Sequence, residues 1–398
     1  MSISTRTSPG VVLGLLRYAA GLQPAESIPT LCEFAAENAD DRQFAHLIEA
    51  GLSPLMYRVM RGCPESVPPA WRDTLRSADL TAQIRFENLG EATAEIIDTC
   101  QGIGVRPTLL KGISVSHQHY PVPHMRPMGD IDILVPDLEF ERVEATLIQS
   151  GFVRAPGQVR PTGSHHGVPL YHPSRRVWIE VHFALFPKSS RLSASSSFTP
   201  AQIAAHSVDS TLLGRPIYRL SNELQLAYIA SSWIQDLACN SFHASLVMPL
   251  LDAIYLVRGS SGSFDWDRLQ GCLDDELGAA SLYLMLDYLS RRGLAGRISP
   301  DLTRIASRQR IVGVWERKIF YMLVDTYLVG GRPFGRFLTR WTALIVLNTL
   351  LEPGSHLRKF FALSWNIVFP PSLPDRYSVR FHARRMKRIF RVSALRRH

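Results

Sequence analysis

The run Gly129-Asp130-Ile131-Asp132-Ile133-Leu134-Val135 constrains this chain more than any other. Its apolar end marks a strand, and side chains on a strand alternate between two faces. Asp130 and Asp132 therefore share one face, and Ile131 and Ile133 the other. The isoleucine face demands a core behind it. The carboxylate face carries two like charges. At ~4 Å and an effective dielectric of ~20 their repulsion costs about 4 kcal/mol. A cation near both would offset that, and a divalent metal suits two oxygen donors.

The rest of the chain frames this strand. Residues 10 to 100 carry helical spacing (Leu13, Leu16, Leu31, Phe34, Leu47, Ile48), broken by prolines between Pro64 and Pro69. A long helix is expected from Ala70 to Cys100, ending before Gly102 and Gly104. Val105–Leu110 reads as a buried strand, and Gly112–Tyr120 as a helix or turn. A loop with Pro121, Pro123 and Pro127 follows. Asp137–Ser150 is an amphipathic helix, closed by Gly151 in a left-handed turn. Beyond a polar loop, Arg175–Phe183 alternates as a strand, with Trp178, Glu180 and His182 on one face. From Thr199 onward helices are expected to dominate, notably Leu224–Asp236, His243–Arg258 and Ala279–Arg291. Ser260–Ser263 reads as a short loop.

This gives an α+β fold: a small mixed sheet flanked by N-terminal and C-terminal helical regions. The expected divisions are 1–100 helical, 101–198 αβ core, 199–375 helical and 376–398 a basic tail. With 46% hydrophobic and 20% charged residues the chain is globular. No apolar run reaches the ~18–20 residues that cross a bilayer. The nearest, Trp341–Leu351, is too short. Val11–Leu16 is interrupted by Arg17 and reads as a first helix rather than a leader. The five cysteines (Cys32, Cys63, Cys100, Cys239, Cys272) form no Cys-x-x-Cys pair, which fits a reducing, cytoplasmic setting.

Nine of the 44 Lys and Arg residues, and none of the 35 acidic ones, lie in Arg376–His398, so the net +9 resides in that tail. Val379, Ala383, Met386 and Phe390 recur there at helical spacing. The tail is a candidate for polyanion contact with RNA, an anionic leader peptide or a membrane surface. The plainer alternative is a helix packed on its own domain.

Three features suggest chemistry. Asp130 and Asp132 form the carboxylate pair, and Glu180 on a later strand is able to complete a metal site. Leu109-Leu110-Lys111-Gly112-Ile113-Ser114 is a strand end entering a helix. There a glycine admits phosphate to backbone N–H groups, Lys111 adds charge and Ser114 a hydroxyl. Arg126 is either a phosphate clamp or a loop anchor. His182 either orients Glu180, touches substrate or sits satisfied in the core. His165, His166 and His172 lack the cysteines of a structural zinc site and fit the lining of a cleft better. Asp236 and Asp252 are explained by helix capping or salt bridging, and Trp233, Trp266, Trp315 and Trp365 by core packing.

These residues resemble the nucleotidyltransferase superfamily that includes DNA polymerase beta. More narrowly, Leu110-Lys111-Gly112, Tyr120, Arg126-Pro127-Met128-Gly129-Asp130-Ile131-Asp132 and Glu180-Val181-His182-Phe183 resemble a bacterial family of uncharacterised nucleotidyltransferases. Two features depart from the wider superfamily. Ile113 follows the glycine, and the gap from Gly112 to Asp130 is long. The resemblance implies a transferase that moves a nucleotidyl group from a nucleoside triphosphate to an acceptor hydroxyl. It implies Mg2+ or Mn2+ on Asp130, Asp132 and Glu180, with Glu180 also helping to deprotonate the acceptor. Lys111, Gly112, Ser114, Arg126 and His182 would bind the nucleotide. The acceptor (peptide, glycan or small molecule) is open, and relatives of this kind suggest tailoring of peptide natural products or polysaccharides. The alternative is a non-catalytic nucleotide-binding regulator or scaffold with the same fold.

Overall fold

A computed structural model describes residues 10–21, 41–62, 64–160, 162–240, 242–260, 262–294, 302–331, 347, 349, 351 and 354–368. Leu31, Phe34, Cys32, Cys63 and the tail from Arg376 lie outside them, as does most of the Trp341–Leu351 run. The chain divides into two units, 1–333 and 334–398.

The first unit opens with α1 (Val11–Ala19), α2 (Asp41–Glu49), α3 (Ser53–Met60) and the long α4 (Pro69–Gly102). Pro69 suits the first turn of α4, where its missing N–H is not needed, and Gly104 closes the end in a left-handed conformation (φ 72°). The core follows as β1 (Thr108–Leu109), α5 (Lys111–His119), β2 (Asp130–Leu134), α6 (Phe140–Gln149), β3 (Val153–Arg154), β4 (Leu170–His172) and β5 (Val177–His182). Next come α7 (Pro200–Ala205), β6 (Ser207–Leu212) and β7 (Arg215–Leu220). The helices α8 (Asn222–Asn240), α9 (Met248–Gly259), α10 (Trp266–Gly271), α11 (Glu276–Arg291), α12 (Leu302–Ser307) and α13 (Val314–Leu323) complete it. Asp275 caps α11 by accepting from the N–H groups of Leu277 and Gly278.

The strands make one seven-stranded sheet in the order β3-β4-β5-β2-β1-β7-β6. It is mixed: β2 pairs with β5, and β1 with β7, in parallel, and the other pairs are antiparallel. The apolar face of β2 and β5 (Ile131, Ile133, Val177, Ile179, Val181) is buried against Leu89, Ile96 and Ile97 of α4 and Phe140, Val143 and Leu147 of α6. Each such aliphatic side chain removed from water contributes about 1.5–3 kcal/mol. That burial fixes the register, because a one-residue slip would turn the isoleucines outward. The opposite face is left with the polar residues.

The α+β reading and the flanking helices agree with this architecture. Two strand elements differ from expectation. Residues 207–220 form a hairpin, whereas the sequence reads as helical there. Leu213 and Gly214 both have positive φ (49° and 76°), the geometry of a tight two-residue turn. Leu-Gly is not a usual pair for that turn, and β6 is too polar to alternate visibly. β4 lies within the segment read as a polar loop. Trp233 is core, with its indole N–H donating to the Leu246 carbonyl (2.8 Å), but Trp315 and Trp365 are exposed. Lys318 lies over the Trp315 ring. Cys100 and Cys272 are free and buried.

In the second unit, α14 (His356–Val368) turns Leu357, Phe360, Phe361 and Trp365 outward and buries Lys359. No described helix is long and apolar enough to cross a membrane.

Candidate functional site

The parallel register of β2 and β5 sets Asp132 directly opposite Glu180, and Leu134 opposite His182. The polar face of two adjacent strands thereby gathers residues that lie about fifty positions apart in sequence. His182 Nε2 lies 2.7 Å from Asp132 Oδ1 and 3.5 Å from Glu180 Oε2. Lys111 Nζ reaches the same Asp132 oxygen at 3.5 Å. Asp132, Glu180 and His182 offer ligand atoms that all lie within 4.8 Å of one another.

This donor set fits a metal ion. Two carboxylate oxygens and one imidazole nitrogen suit Mn2+ and its neighbours, and the carboxylates suit Mg2+. His182 is fully buried, and its Nδ1 has no hydrogen-bond partner among the described residues. Asp130 is half-buried on the same strand face and stands outside that three-residue group.

Electrostatics separate the carboxylates. Burial pushes Asp130 up to about 6, and the negative charges of Asp132 and Glu180 add to it. Burial acts the same way on Asp132, but Lys111 and the His182 hydrogen bond outweigh it and hold that carboxyl below the usual range. Glu180 is lowered too, because its His182 bond overcomes burial. His182 is raised, since its bonds to Asp132 and Glu180 exceed the cost of burying its charge.

At the strand-to-helix turn, Lys111 adopts φ 43°, a left-handed conformation uncommon for a residue with a side chain. Gly112 is required by a close approach. A Cβ there would lie 2.4 Å from Arg126 Nη1 and 2.8 Å from Met128 Sδ. Arg126 has little freedom to retreat. Its Nε and Nη2 donate to Asp252 Oδ1 and Oδ2, each at 2.9 Å, and Tyr120 Oη donates to Asp252 Oδ1 at 2.6 Å. Ser114 is buried within α5, where its Oγ accepts from Gln118 Nε2 at 3.2 Å.

The fold thus brings Lys111, Asp132, Glu180 and His182 together and sets Asp130 beside them. It engages Arg126 with Asp252, and Ser114 with Gln118. His165 and His166 pack their rings on His182 (5.1 and 5.3 Å), and His166 Nε2 lies 4.0 Å from Glu180 Oε2. Burial depresses His165 to about 3. His172 turns elsewhere, to Glu95 Oε2 at 2.6 Å.

Sequence reasoning did not bring α8 near this cluster. Lys111, Asp132 and Glu180 all act electrostatically on Tyr228 and Asp236 of that helix. The available signal was a polar stripe, Tyr228, Ser232 and Asp236, at four-residue spacing through an apolar helix.

Residues 37–291 match the family described as uncharacterised nucleotidyltransferases. The match takes in the whole sheet and α8 through α11, well over half the chain, and the chain belongs to that family. No curated protein matches it.

Proposed function

We propose that this family member transfers a nucleotidyl group from a nucleoside triphosphate to an acceptor hydroxyl. The observation that carries the reading is the meeting of Asp132, Glu180 and His182 on parallel strands beside Lys111. Asp130, Asp132 and Glu180 hold Mg2+ or Mn2+, with His182 as a nitrogen donor or as the group that orients both carboxylates. When bound, the ion neutralises phosphate charge and polarises the phosphoryl group under attack.

The chain's own residues do the rest. Lys111 and the N-terminal turn of α5 receive the phosphates, since free N–H groups and the helix dipole favour anions. Gly112 lets Arg126 brace that turn, and Asp252 holds Arg126 in place. Ser114, engaged by Gln118, supports the same helix. Free Cys100 and Cys272 support a reducing compartment. The tail Arg376–His398 is kept as a candidate polyanion contact.

The test is pyrophosphate release from each triphosphate with Mg2+ or Mn2+, and mass spectrometry of candidate acceptors for the added nucleotidyl mass. Asp132→Asn is expected to lower turnover by at least ~100-fold with the fold intact by circular dichroism. Near-normal turnover in that variant would remove the site. Nucleotide binding by the wild type with no product from any acceptor would favour a regulatory role instead.

A further inference from the structure

The nucleotide side of the site is built from strands and the turn into α5. The acceptor must come from elsewhere, and α8 lies close to the chain leaving β5, with the Tyr228 ring 5.6 Å from that of Phe186. Tyr228, Ser232 and Asp236 stack on one face of that helix, one turn apart. Two observations point this face at a ligand. Tyr228 is 1% exposed, yet its hydroxyl has no hydrogen-bond partner among the described residues. A buried hydroxyl without a partner is costly, and such a group in a native core calls for an explanation. Asp236 lies within electrostatic reach of Lys111, Asp132 and Glu180 and accepts a hydrogen bond from Ser232 Oγ at 3.4 Å, while no cationic side chain pairs with it within 4.0 Å among the described residues.

We propose that this face of α8 is the acceptor subsite, where Tyr228 Oη and Ser232 Oγ hold an alcohol hydroxyl and Asp236 takes its proton. The inference rests on the nucleotidyl-transfer reading and names its general base. The acceptor O–H bond breaks, with the proton passing to an Asp236 carboxylate oxygen. The acceptor oxygen forms a bond to the α-phosphorus. The bond from that phosphorus to the oxygen bridging to the β-phosphate breaks, and pyrophosphate leaves with the electron pair. Asp236 then returns the proton to solvent.

Asp130, Asp132 and Glu180 are the other carboxylates at the site and are assigned to the ion, and the surroundings of Glu180 suit it less as a base. His182 occupies it at 3.5 Å, with His166 at 4.0 Å. Asp236, by contrast, is engaged by the Ser232 hydroxyl, at 3.4 Å, and by no cationic side chain within 4.0 Å among the described residues. A general base needs a carboxylate oxygen free to accept a proton, and that of Asp236 is the less engaged.

The experiment uses the full chain with ATP, Mg2+ or Mn2+, and water or glycerol as acceptor. Pyrophosphate release gives kcat and KM, and calorimetry with α,β-methylene ATP gives nucleotide affinity separately. Asp236→Asn is expected to lower kcat by ~10²–10⁴-fold while KM and analogue affinity stay within about twofold. Formate should restore part of the activity lost in Asp236→Ala, and Tyr228→Phe should weaken glycerol as an acceptor more than it weakens ATP. Retention of at least half the wild-type kcat in Asp236→Asn would overturn the proposal. So would analogue affinity falling in step with turnover, which would make Asp236 a support for Lys111. Release by the wild type that Asp132→Asn abolishes and Asp236→Asn spares would refute this inference alone. Absence of release from the wild type would bring down the transfer reading and the base with it.

Discussion

Asp130→Asn tests whether the carboxylate face is held ready for a cation. Without metal, burial and the charges of Asp132 and Glu180 push the Asp130 carboxyl from 3.8 to about 6. At ~1.36 kcal/mol per unit, ionising it in the folded protein costs on the order of 3 kcal/mol. The folded state holds this proton more tightly than the unfolded chain does. Stability from Asp130 is therefore full below pH 3.8, falls as the pH rises toward about 6, and stays low above that. Asparagine carries no charge to repel. In urea denaturation with EDTA present, the variant should be more stable than wild type by about 2–3 kcal/mol near neutral pH. The difference should vanish as the pH falls below about 4. Added Mn2+ should remove most of that advantage. An ion at a hundredfold its Kd stabilises a protein by about 2.7 kcal/mol, and the variant lacks one of the carboxylates. Equal stability near neutral pH in EDTA, or an advantage that persists in acid, would refute the reasoning.

Removing Arg126 strands Asp252, which is 3% exposed on its side chain. Arg126→Ala should cost about 3–5 kcal/mol by denaturant titration, and the double variant Arg126→Met with Asp252→Leu much less. A single-variant loss below 1 kcal/mol would mean that the pair does not brace the turn. Gly112→Ala drives a methyl into Arg126 and Met128, and thermal unfolding should report a loss of about 1–3 kcal/mol. An unchanged midpoint would show that the turn has room after all.

The sequence made β2 and β5 legible because each buries one face and leaves the other polar. Ile131 and Ile133 force Asp130 and Asp132 onto a common face, and Ile179 and Val181 do the same for Glu180 and His182. What alternation cannot supply is the partner strand. Only the parallel pairing puts Asp132 beside Glu180 and brings His182 within 2.7 Å of Asp132. Contacts made across long stretches of chain were hidden for the same reason. Arg126 finds Asp252 126 residues later, and nothing near either residue announces it. Asp236 reads as an ordinary helix residue until α8 is laid against the sheet. Leu213-Gly214 hid its hairpin because a leucine stands where asparagine or aspartate gives the usual signal. The size of Trp315 suggests burial, whereas its helix turns it outward with Lys318 over its ring.

The most direct test of the metal site is cation binding itself. Calorimetry with Mn2+ and Mg2+ in the presence of α,β-methylene ATP would compare wild type, Asp132→Asn and Glu180→Gln. Wild type is expected to bind the ion, and each variant to lose at least ~10-fold in affinity. Equal affinity in all three proteins would contradict the site.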